Sequence, residues 1–229
     1  MKLQGVIFDF NGVIVDDYPL QKVAWDKVSL KLRGRGVSDE EMMQNIRGVQ
    51  TKEAIRWMLK NPLTEEEIAS IAKEKEDYVK RLYAVSPLFC LNKGLNRFFD
   101  ELKKNHIPHT IATSANLKNL QFSFSKLGLS QWFNISEVVY NDGNCKSKPA
   151  PDAYLLAAKK IKLDPKVCVV FEDAVSGIIA AYAAGIRYII AIGNDERLAV
   201  LKKLPGVVKG IHNFSKLKVN ELFAQVANR

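Results

Sequence analysis

The chain has 229 residues, of which 47% are hydrophobic and 26% charged, and its formal net charge is +9. This composition is typical of a globular protein and excludes a disordered or fibrous chain. No apolar run approaches the ~20 residues of a membrane-spanning helix, and the amino terminus lacks the layout of a signal peptide, so we expect a soluble, cytoplasmic protein. The Lys and Arg residues are scattered in small groups, so neither nucleic acid nor a membrane is expected as a partner.

An apolar run from Gly5 to Phe8 predicts a buried strand near the start of the chain. Asp9 lies at the end of this strand, and Asn11 follows just before a turn at Gly12. Open α/β sheets bind their ligands at the carboxyl ends of the strands. Asp9 is therefore a candidate nucleophile or metal ligand, whereas the amide of Asn11 cannot carry protons at neutral pH.

The sequence of residues 17–85 predicts only helices, because its apolar positions recur with the spacing of a helix. Two of the helix starts carry a capping box, in which a hydroxyl and a carboxylate three residues apart cover free amides. These pairs are Ser38 with Glu41, and Thr64 with Glu67. We therefore predict that residues 17–85 form an all-helical domain inserted after the first strand.

From residue 94 to residue 192, short apolar strands alternate with amphipathic helices. That order predicts an α/β fold in which a mostly parallel sheet lies between two layers of helices, as in Rossmann-like proteins. We assign residues 1–16 and 86–229 to this three-layer core. Nothing in the sequence requires more than a monomer.

Polar residues also follow later strands of the predicted sheet. Thr113 closes one strand and precedes Ser114, and hydroxyls at such a place are either helix caps or, with free amides, part of a phosphate cradle. Lys148 lies in a proline-rich segment that would aim its ammonium group at a fixed point, as a clamp on phosphate requires. Glu172 and Asp173 end another strand, where carboxylates are either caps or ligands for Mg²⁺, which prefers oxygen.

Together these residues resemble the motifs of the haloacid dehalogenase superfamily, in the subgroup of phosphatases and β-phosphoglucomutase that carries a helical cap after the first strand. The similarity covers residues 6–16 and 94–193, and it is strongest in residues 148–152 and 172–181. The resemblance implies a Mg²⁺-dependent phosphohydrolase that acts on a small phosphorylated substrate.

The resemblance also implies a role for each polar residue. Asp9 would attack phosphorus and form an aspartyl-phosphate. Thr113 and the main-chain amide of Ser114 would hold the phosphoryl oxygens, and Lys148 would neutralise the developing charge. The implied metal ligands are Asp9, the main-chain carbonyl of Asn11, and Asp173, with Glu172 close by or directly bound.

The chain departs from the family pattern at Asn11. An aspartate usually stands there, which protonates the leaving group and then activates water. Such acid–base help is worth roughly 10² to 10⁴ in rate, so we expect an enzyme that is slow or restricted to good leaving groups such as acyl phosphates. Deamidation of the Asn11–Gly12 pair, which would create an aspartate in part of the population, is left open.

Other functions remain open at this point. The first cap helix, with Trp25, resembles that of β-phosphoglucomutase, so a phosphomutase of that kind is one alternative. However, Gln21 stands where a mutase has a histidine, and Thr51 where its cap has a phosphate-binding arginine. Lys52 follows, and it would also be the amine of a hydrolase that works through a Schiff base, a minor alternative. These four cap residues are the candidate substrate contacts. The remaining alternative is a catalytically impaired protein that binds phosphorylated ligands.

Overall fold

The computed structural model describes residues 2–59 and 62–224. Its centre is a six-stranded sheet in which all neighbouring strands are parallel. The strands are β1 (Gly5–Phe8), β2 (His109–Asn116), β3 (Val139–Asn141), β4 (Cys168–Glu172), β5 (Tyr188–Ile192) and β6 (Val207–Ile211). The predicted α/β fold with a parallel sheet is confirmed.

Helices connect these strands and cover both faces of the sheet, and a further group precedes β2. The α-helices are α1 (Tyr18–Arg33), α2 (Asp39–Glu41), α3 (Thr51–Met58), α4 (Glu65–Val85), α5 (Leu95–Lys104), α6 (Leu117–Leu127), α7 (Asp152–Lys160), α8 (Val175–Ala183), α9 (Asp195–Leu201) and α10 (Val219–Ala224). A π-helical turn (Met42–Ile46) follows α2. No helix among the described residues combines the length and the apolar character needed to cross a membrane.

The order of the strands places a crevice beside the end of β1. Along the sheet the order is β3-β2-β1-β4-β5-β6, so the chain first adds strands on one side of β1 and then on the other. In sheets of this kind the point where the order reverses is where ligands bind. Asp9, which follows β1, and Glu172, the last residue of β4, flank that point.

An aromatic cluster fixes β1 and β4 relative to each other. Phe8 and Phe171 are register partners, and their buried rings stack with centroids 5.2 Å apart. Phe98 and Phe214 pack around them on the same face of the sheet. Successive side chains of a strand point to opposite faces, so Ile7 belongs to the apolar core on the other side. The residues that follow these strands therefore start from a rigid base.

The four helices α1 to α4, called the cap hereafter, lie in the chain between β1 and α5 and have an apolar core of their own. The capping boxes predicted at Ser38 and Thr64 are both confirmed. Gly34 ends α1 in a left-handed conformation, with φ 71°. We keep residues 17–85 as the proposed bounds of the cap domain.

The structure differs from the predicted elements in two places. The helix α9, between β5 and β6, was not predicted: it has seven residues, and its first turn is polar, so the apolar period is short. The strand β2 runs on to Asn116, with an irregular register after Ala112. Thr113 therefore lies within an irregular stretch of strand rather than at its end.

Candidate active site

The centre of the site is a buried lysine between two buried carboxylates. Lys148 Nζ lies 2.7 Å from Oδ1 of Asp9 and 2.7 Å from Oε1 of Glu172. The three side chains are at most 6% exposed. A lysine in such a place requires paired carboxylates, because an isolated buried charge is costly. The segment that carries Lys148 thus places its ammonium group between the ends of β1 and β4.

Glu172 is held from several directions. Tyr154 on α7 donates its hydroxyl to Oε1 at 2.8 Å, and the main-chain amides of Asp173 and Ala174 donate to Oε2 at 2.7 and 2.9 Å. Gly177 allows this carboxylate to approach α8, since a Cβ at that position would overlap the Glu172 carboxyl group. Glu172 is therefore locked in one orientation and can position Lys148.

Three carboxylates gather beside Lys148. One oxygen each from Asp9, Glu172 and Asp173 lie within 4.8 Å of one another. Oδ2 of Asp173 is buried and makes no hydrogen bond within the described part of the chain, although Arg47 contacts it and Arg197 Nη1 lies 3.8 Å away. A hard divalent cation such as Mg²⁺ takes oxygen ligands of this kind. The residues present therefore fit such an ion.

Burial and neighbouring charges together shift the pKa values of Asp9 and Lys148. Burial raises the pKa of Asp9 to about 7; the Lys148 ammonium lowers it and the Glu172 carboxylate raises it. Burial alone would lower the pKa of Lys148, but the two carboxylates raise it above its ordinary value. Lys148 is thus cationic at neutral pH, and further positive charge near Asp9 would favour its ionised form.

Thr113 and Ser114 lie at the opening between the core and the cap. Thr113 is 3% exposed and accepts a hydrogen bond from the amide of Ala115. Neither hydroxyl caps α6, because that cap is Asn116, which accepts from the amide of Asn119 at 3.0 Å. The interpretation of Thr113 or Ser114 as a helix cap is therefore wrong, and both side chains line the cavity described below.

Asn11 is fixed by a carboxylate that the sequence did not point to. Its Nδ2 donates to Oδ2 of Asp17 at 2.7 Å and lies 3.4 Å from the hydroxyl of Tyr83. Tyr83 also donates to Asp17, and its pKa is raised well above the ordinary value by burial and by Asp17. Because the Asp17 carboxylate accepts from Nδ2, the other amide atom of Asn11, its oxygen, is turned away from Asp17.

A cavity of about 100 Å³ lies between the core and the cap. Core residues on its wall include Asp9, Asn11, Thr113, Ser114 and Asp173, and cap residues include Gln21, Trp25, Thr51, Arg47, Lys75 and Glu76. The structure therefore brings three of the four predicted cap contacts to the cavity. Lys52 is the exception: it is exposed and does not line the cavity, because the buried face of α3 is formed by Ala54, Ile55 and Met58. The prediction that Lys52 contacts the substrate is not supported.

Sequence reasoning missed Lys75, Glu76 and Arg47. A signal for Lys75 exists, since it lies four residues from both Ile71 and Val79 on the buried stripe of α4. A charged side chain on such a stripe requires a partner or a functional reason. Arg47 is a single cation before a glycine and offers no comparable pattern.

Three serines of the core hold one segment of the cap. Ser176 donates its hydroxyl to the carbonyl of Arg47 at 2.8 Å, and Ser114 donates to the carbonyl of Gly48 at 2.8 Å. The amide of Gln50 donates to Oγ of Ser147 at 2.9 Å. Residues 47–50 are thus fastened to three separate parts of the core, namely β2, the segment before Lys148 and the first turn of α8, and the cap is closed over the cavity.

Comparison with known proteins agrees with this geometry. A family model described as haloacid dehalogenase-like hydrolase matches residues 3–185. Hexitol phosphatase A of Escherichia coli strain K12 is 29% identical over 220 residues, covering 95% of this chain and 96% of that protein. A fructose-1-phosphate phosphatase of the same strain is 32% identical over 186 residues, covering 79% and 92%. The crystal structure of a HAD hydrolase of family IA, variant 3, from Entamoeba histolytica has 34% identity and a TM-score of 0.87, covering 99% of this chain and all of that one.

Proposed function

The chain belongs to the haloacid dehalogenase-like hydrolases, and we propose that this member is a Mg²⁺-dependent phosphatase acting on a small phosphorylated sugar or polyol through an aspartyl-phosphate. The observation that carries the proposal is the buried contact of Lys148 with both Glu172 and Asp9, of which Asp9 lines the cavity. The names of the relatives, which are phosphatases of hexitols and fructose 1-phosphate, support the substrate class.

In the first step a carboxylate oxygen of Asp9 attacks phosphorus and forms a new O–P bond. The bond from phosphorus to the leaving oxygen breaks, and that oxygen keeps the electron pair. Thr113 and the Ser114 amide bind the phosphoryl oxygens, while Lys148 offsets the charge that develops on them. Asn11 has no proton of suitable acidity to give, so the leaving oxygen takes its proton from solvent.

In the second step a water molecule attacks the phosphorus of the aspartyl-phosphate. The O–P bond to Asp9 breaks and its electron pair returns to the carboxylate, while the proton of the water passes to solvent. The oxygen of the Asn11 amide, turned away from Asp17, is an acceptor that can orient this water but cannot take its proton. This step is therefore also slow compared with that of an enzyme that has a carboxylate at position 11.

The residues that would hold Mg²⁺ are Asp9, Asp173 and the main-chain carbonyl of Asn11, with Glu172 close by or directly bound. When bound, the ion supplies positive charge to the phosphoryl oxygens and to the Asp9 carboxylate. The main contribution of the chain is to hold Asp9 and Asp173 at the carboxyl ends of two adjacent strands, where the aromatic cluster leaves them little freedom.

Phosphate release from a panel of esters in the presence of Mg²⁺ tests this proposal. We expect turnover by the wild type, a steep fall in kcat/KM from aryl and acyl phosphates to alkyl phosphates, and loss of turnover in Asp9→Asn. Lys148→Met should lose at least about 10² in kcat, the magnitude typical of a lost charge-stabilising group. Lys146→Met is the matched control, because Lys146 lies in the same segment but is exposed.

Two results would contradict the proposal in different ways. Unchanged turnover in Asp9→Asn would exclude the aspartyl-phosphate. Equal kcat/KM values for aryl and alkyl phosphates would show that protonation of the leaving group does not limit the first step, and the role given to Asn11 in that step would then be wrong.

A further inference from the structure

We propose that Glu76 excludes substrates with a second anionic group, so that the substrate is the monophosphate of a neutral polyhydroxylated molecule. This inference rests on the proposed phosphatase function and specifies which phosphate esters the site accepts. It arises from the charges on the part of the cavity wall that lies on α4.

Glu76 lies on α4 of the cap and lines the cavity. Three groups approach its carboxylate: the hydroxyl of Thr51, the side-chain amide of Asn119 on α6 of the core, and the ammonium of Lys75, with Nζ 3.4 Å from Oε1. The side chain of Glu76 is 18% exposed. A carboxylate thus stands on the cavity wall, held by groups from both the cap and the core.

Lys75 matches the charge of Glu76. Its side chain is 4% exposed, Nζ donates to Oε1 of Gln21 at 2.8 Å, and Nζ lies 4.6 Å from the centre of the Trp25 ring. Lys75 is therefore held in place by a carboxylate, an amide and an aromatic face. It is not a free cation available to bind a second phosphate.

The other cation on the described cavity wall is also committed. Arg47 contacts Asp173 and lies against the ring of Tyr18, and its side chain is 8% exposed. Each cation among the described lining residues is thus in contact with a carboxylate.

A second phosphate or carboxylate on the substrate would therefore meet Glu76 without an unmatched positive charge nearby. Placing like charges together in a site shielded from water is costly. Hydroxyl groups suit the same wall, because a hydroxyl both donates and accepts: Glu76 accepts, while Lys75 and Asn119 donate. A phosphomutase, which must hold a second phosphate, is disfavoured by the same arrangement.

Matched pairs of phosphate esters test this inference. Sorbitol 6-phosphate and 6-phosphogluconate share one carbon chain and differ by a CH₂OH or a carboxylate at carbon 1; glycerol 3-phosphate and 3-phosphoglycerate form a shorter pair. We expect kcat/KM of the wild type to favour the neutral member of at least one pair by about tenfold or more. The ratio should approach one in Glu76→Gln.

Lys75→Met gives a second, opposite readout. It leaves Glu76 unmatched, so the preference for the neutral ester should rise about tenfold or more above that of the wild type. A purely structural role for the pair would impair both esters alike in both variants and would leave the ratio unchanged. Glu74→Gln is the control, because Glu74 is 47% exposed and pairs with Lys31 on the surface. Its ratio should equal that of the wild type.

Calorimetric binding of each pair to Asp9→Asn, with and without Glu76→Gln and in the presence of Mg²⁺, separates this inference from the proposed function. Preferential binding of the neutral ester without any turnover by the wild type would support the role of Glu76 and overturn the phosphatase function. Turnover with equal preference for the two esters would overturn the role of Glu76 alone. Failure of both esters of every pair to bind and to react would overturn both.

Discussion

Asn11 donates its side-chain amide to the carboxylate of Asp17 at 2.7 Å, and Asp17 is 2% exposed. The residue expected to act as acid and base in the family is thus an amide here, and a buried carboxylate stands next to it. The pair therefore consists of one amide and one carboxylate, which are joined by a hydrogen bond. An exchange of the two residues would preserve that composition while moving the carboxylate to position 11.

This relationship predicts the outcome of repairing position 11. In Asn11→Asp, two carboxylates face each other across a partly buried contact, and one of them must hold a proton or break the contact. The double variant Asn11→Asp, Asp17→Asn keeps one hydrogen bond and one charge. We expect the double variant to gain roughly 10² in kcat/KM on alkyl phosphates, within the usual range of acid–base help, and the single variant to gain less.

The control for this exchange is Asp17→Asn alone, which places two amides together and should gain nothing. The value of kcat/KM on an aryl phosphate should change little in any of the three variants, since kcat/KM reports the first transfer and this leaving group needs no proton. Equal gains for the single and the double variant would show that the contact with Asp17 has no influence on the chemistry at position 11.

The raised pKa of Asp9 predicts how its removal changes stability with pH. Asp9 has an ordinary pKa of 3.8 and a folded value of about 7, so the folded chain binds more protons than the unfolded chain between these values. Its ionisation therefore costs nothing below about pH 4, reduces stability as the pH rises towards 7, and exerts its full effect above that. In EDTA at pH 8, Asp9→Asn should be more stable than the wild type by on the order of a few kcal/mol.

Thermal unfolding at a series of pH values measures this effect. A domain of 150 to 250 residues shifts its midpoint by roughly 2–4 °C per kcal/mol, so the difference should be evident at pH 8 and should vanish near pH 4. Mg²⁺ should raise the midpoint of the wild type more than that of Asp9→Asn, because the variant loses an anionic ligand. A difference that is constant with pH would show that Asp9 is not the group responsible.

Gly48 of the cap lies close to the core, so we expect alanine at this position to weaken substrate binding as well as stability. Gly48 has φ 76°, and a Cβ there would lie 2.5 Å from Oγ of Ser176 and 3.0 Å from the Cβ of Ala174. Gly34 has a similar φ of 71°, but a Cβ there would meet nothing within 4 Å. Alanine at either position carries backbone strain of roughly 1–3 kcal/mol.

Only Gly48→Ala should prevent the cap from closing, so only this variant should raise KM, by about tenfold or more, the equivalent of roughly 1.4 kcal/mol. Gly34→Ala should lose stability while keeping the KM of the wild type. A parallel rise of KM in both variants would indicate that strain in the cap, rather than contact with the core, controls binding.

Much of the core was predictable from the sequence for a physical reason. Parallel strands with buried faces form apolar runs, and their ends are marked by a switch to polar residues, as at Asp9 and Asp173. The resemblance to the haloacid dehalogenase superfamily, drawn from these residues and Lys148, is confirmed by the family model that spans residues 3–185. The roles given to the individual residues remain predictions.

The contacts around the site were less accessible to prediction. Asp17 and Tyr83 are 66 residues apart in the chain and meet only because α4 returns to the start of α1. Tyr154 reaches Glu172 from a helix whose pattern is merely apolar. Such pairings depend on how elements that are distant in the chain pack against each other, which no local period of the sequence records. Lys52 was chosen because it follows Thr51, but adjacent residues of a helix face different directions.

The three serines that hold residues 47–50 each lie beside a residue of the proposed active site. Ser114 follows Thr113, Ser147 precedes Lys148, and Ser176 lies on the first turn of the helix that follows Asp173. If the product of the proposed reaction leaves by lifting of the cap, these three hydrogen bonds must break, and the segments that carry Thr113, Lys148 and Asp173 lose a common support. Under the proposed function, phosphoryl transfer would precede cap opening, and the rate of opening would set an upper limit on the rate of the whole cycle.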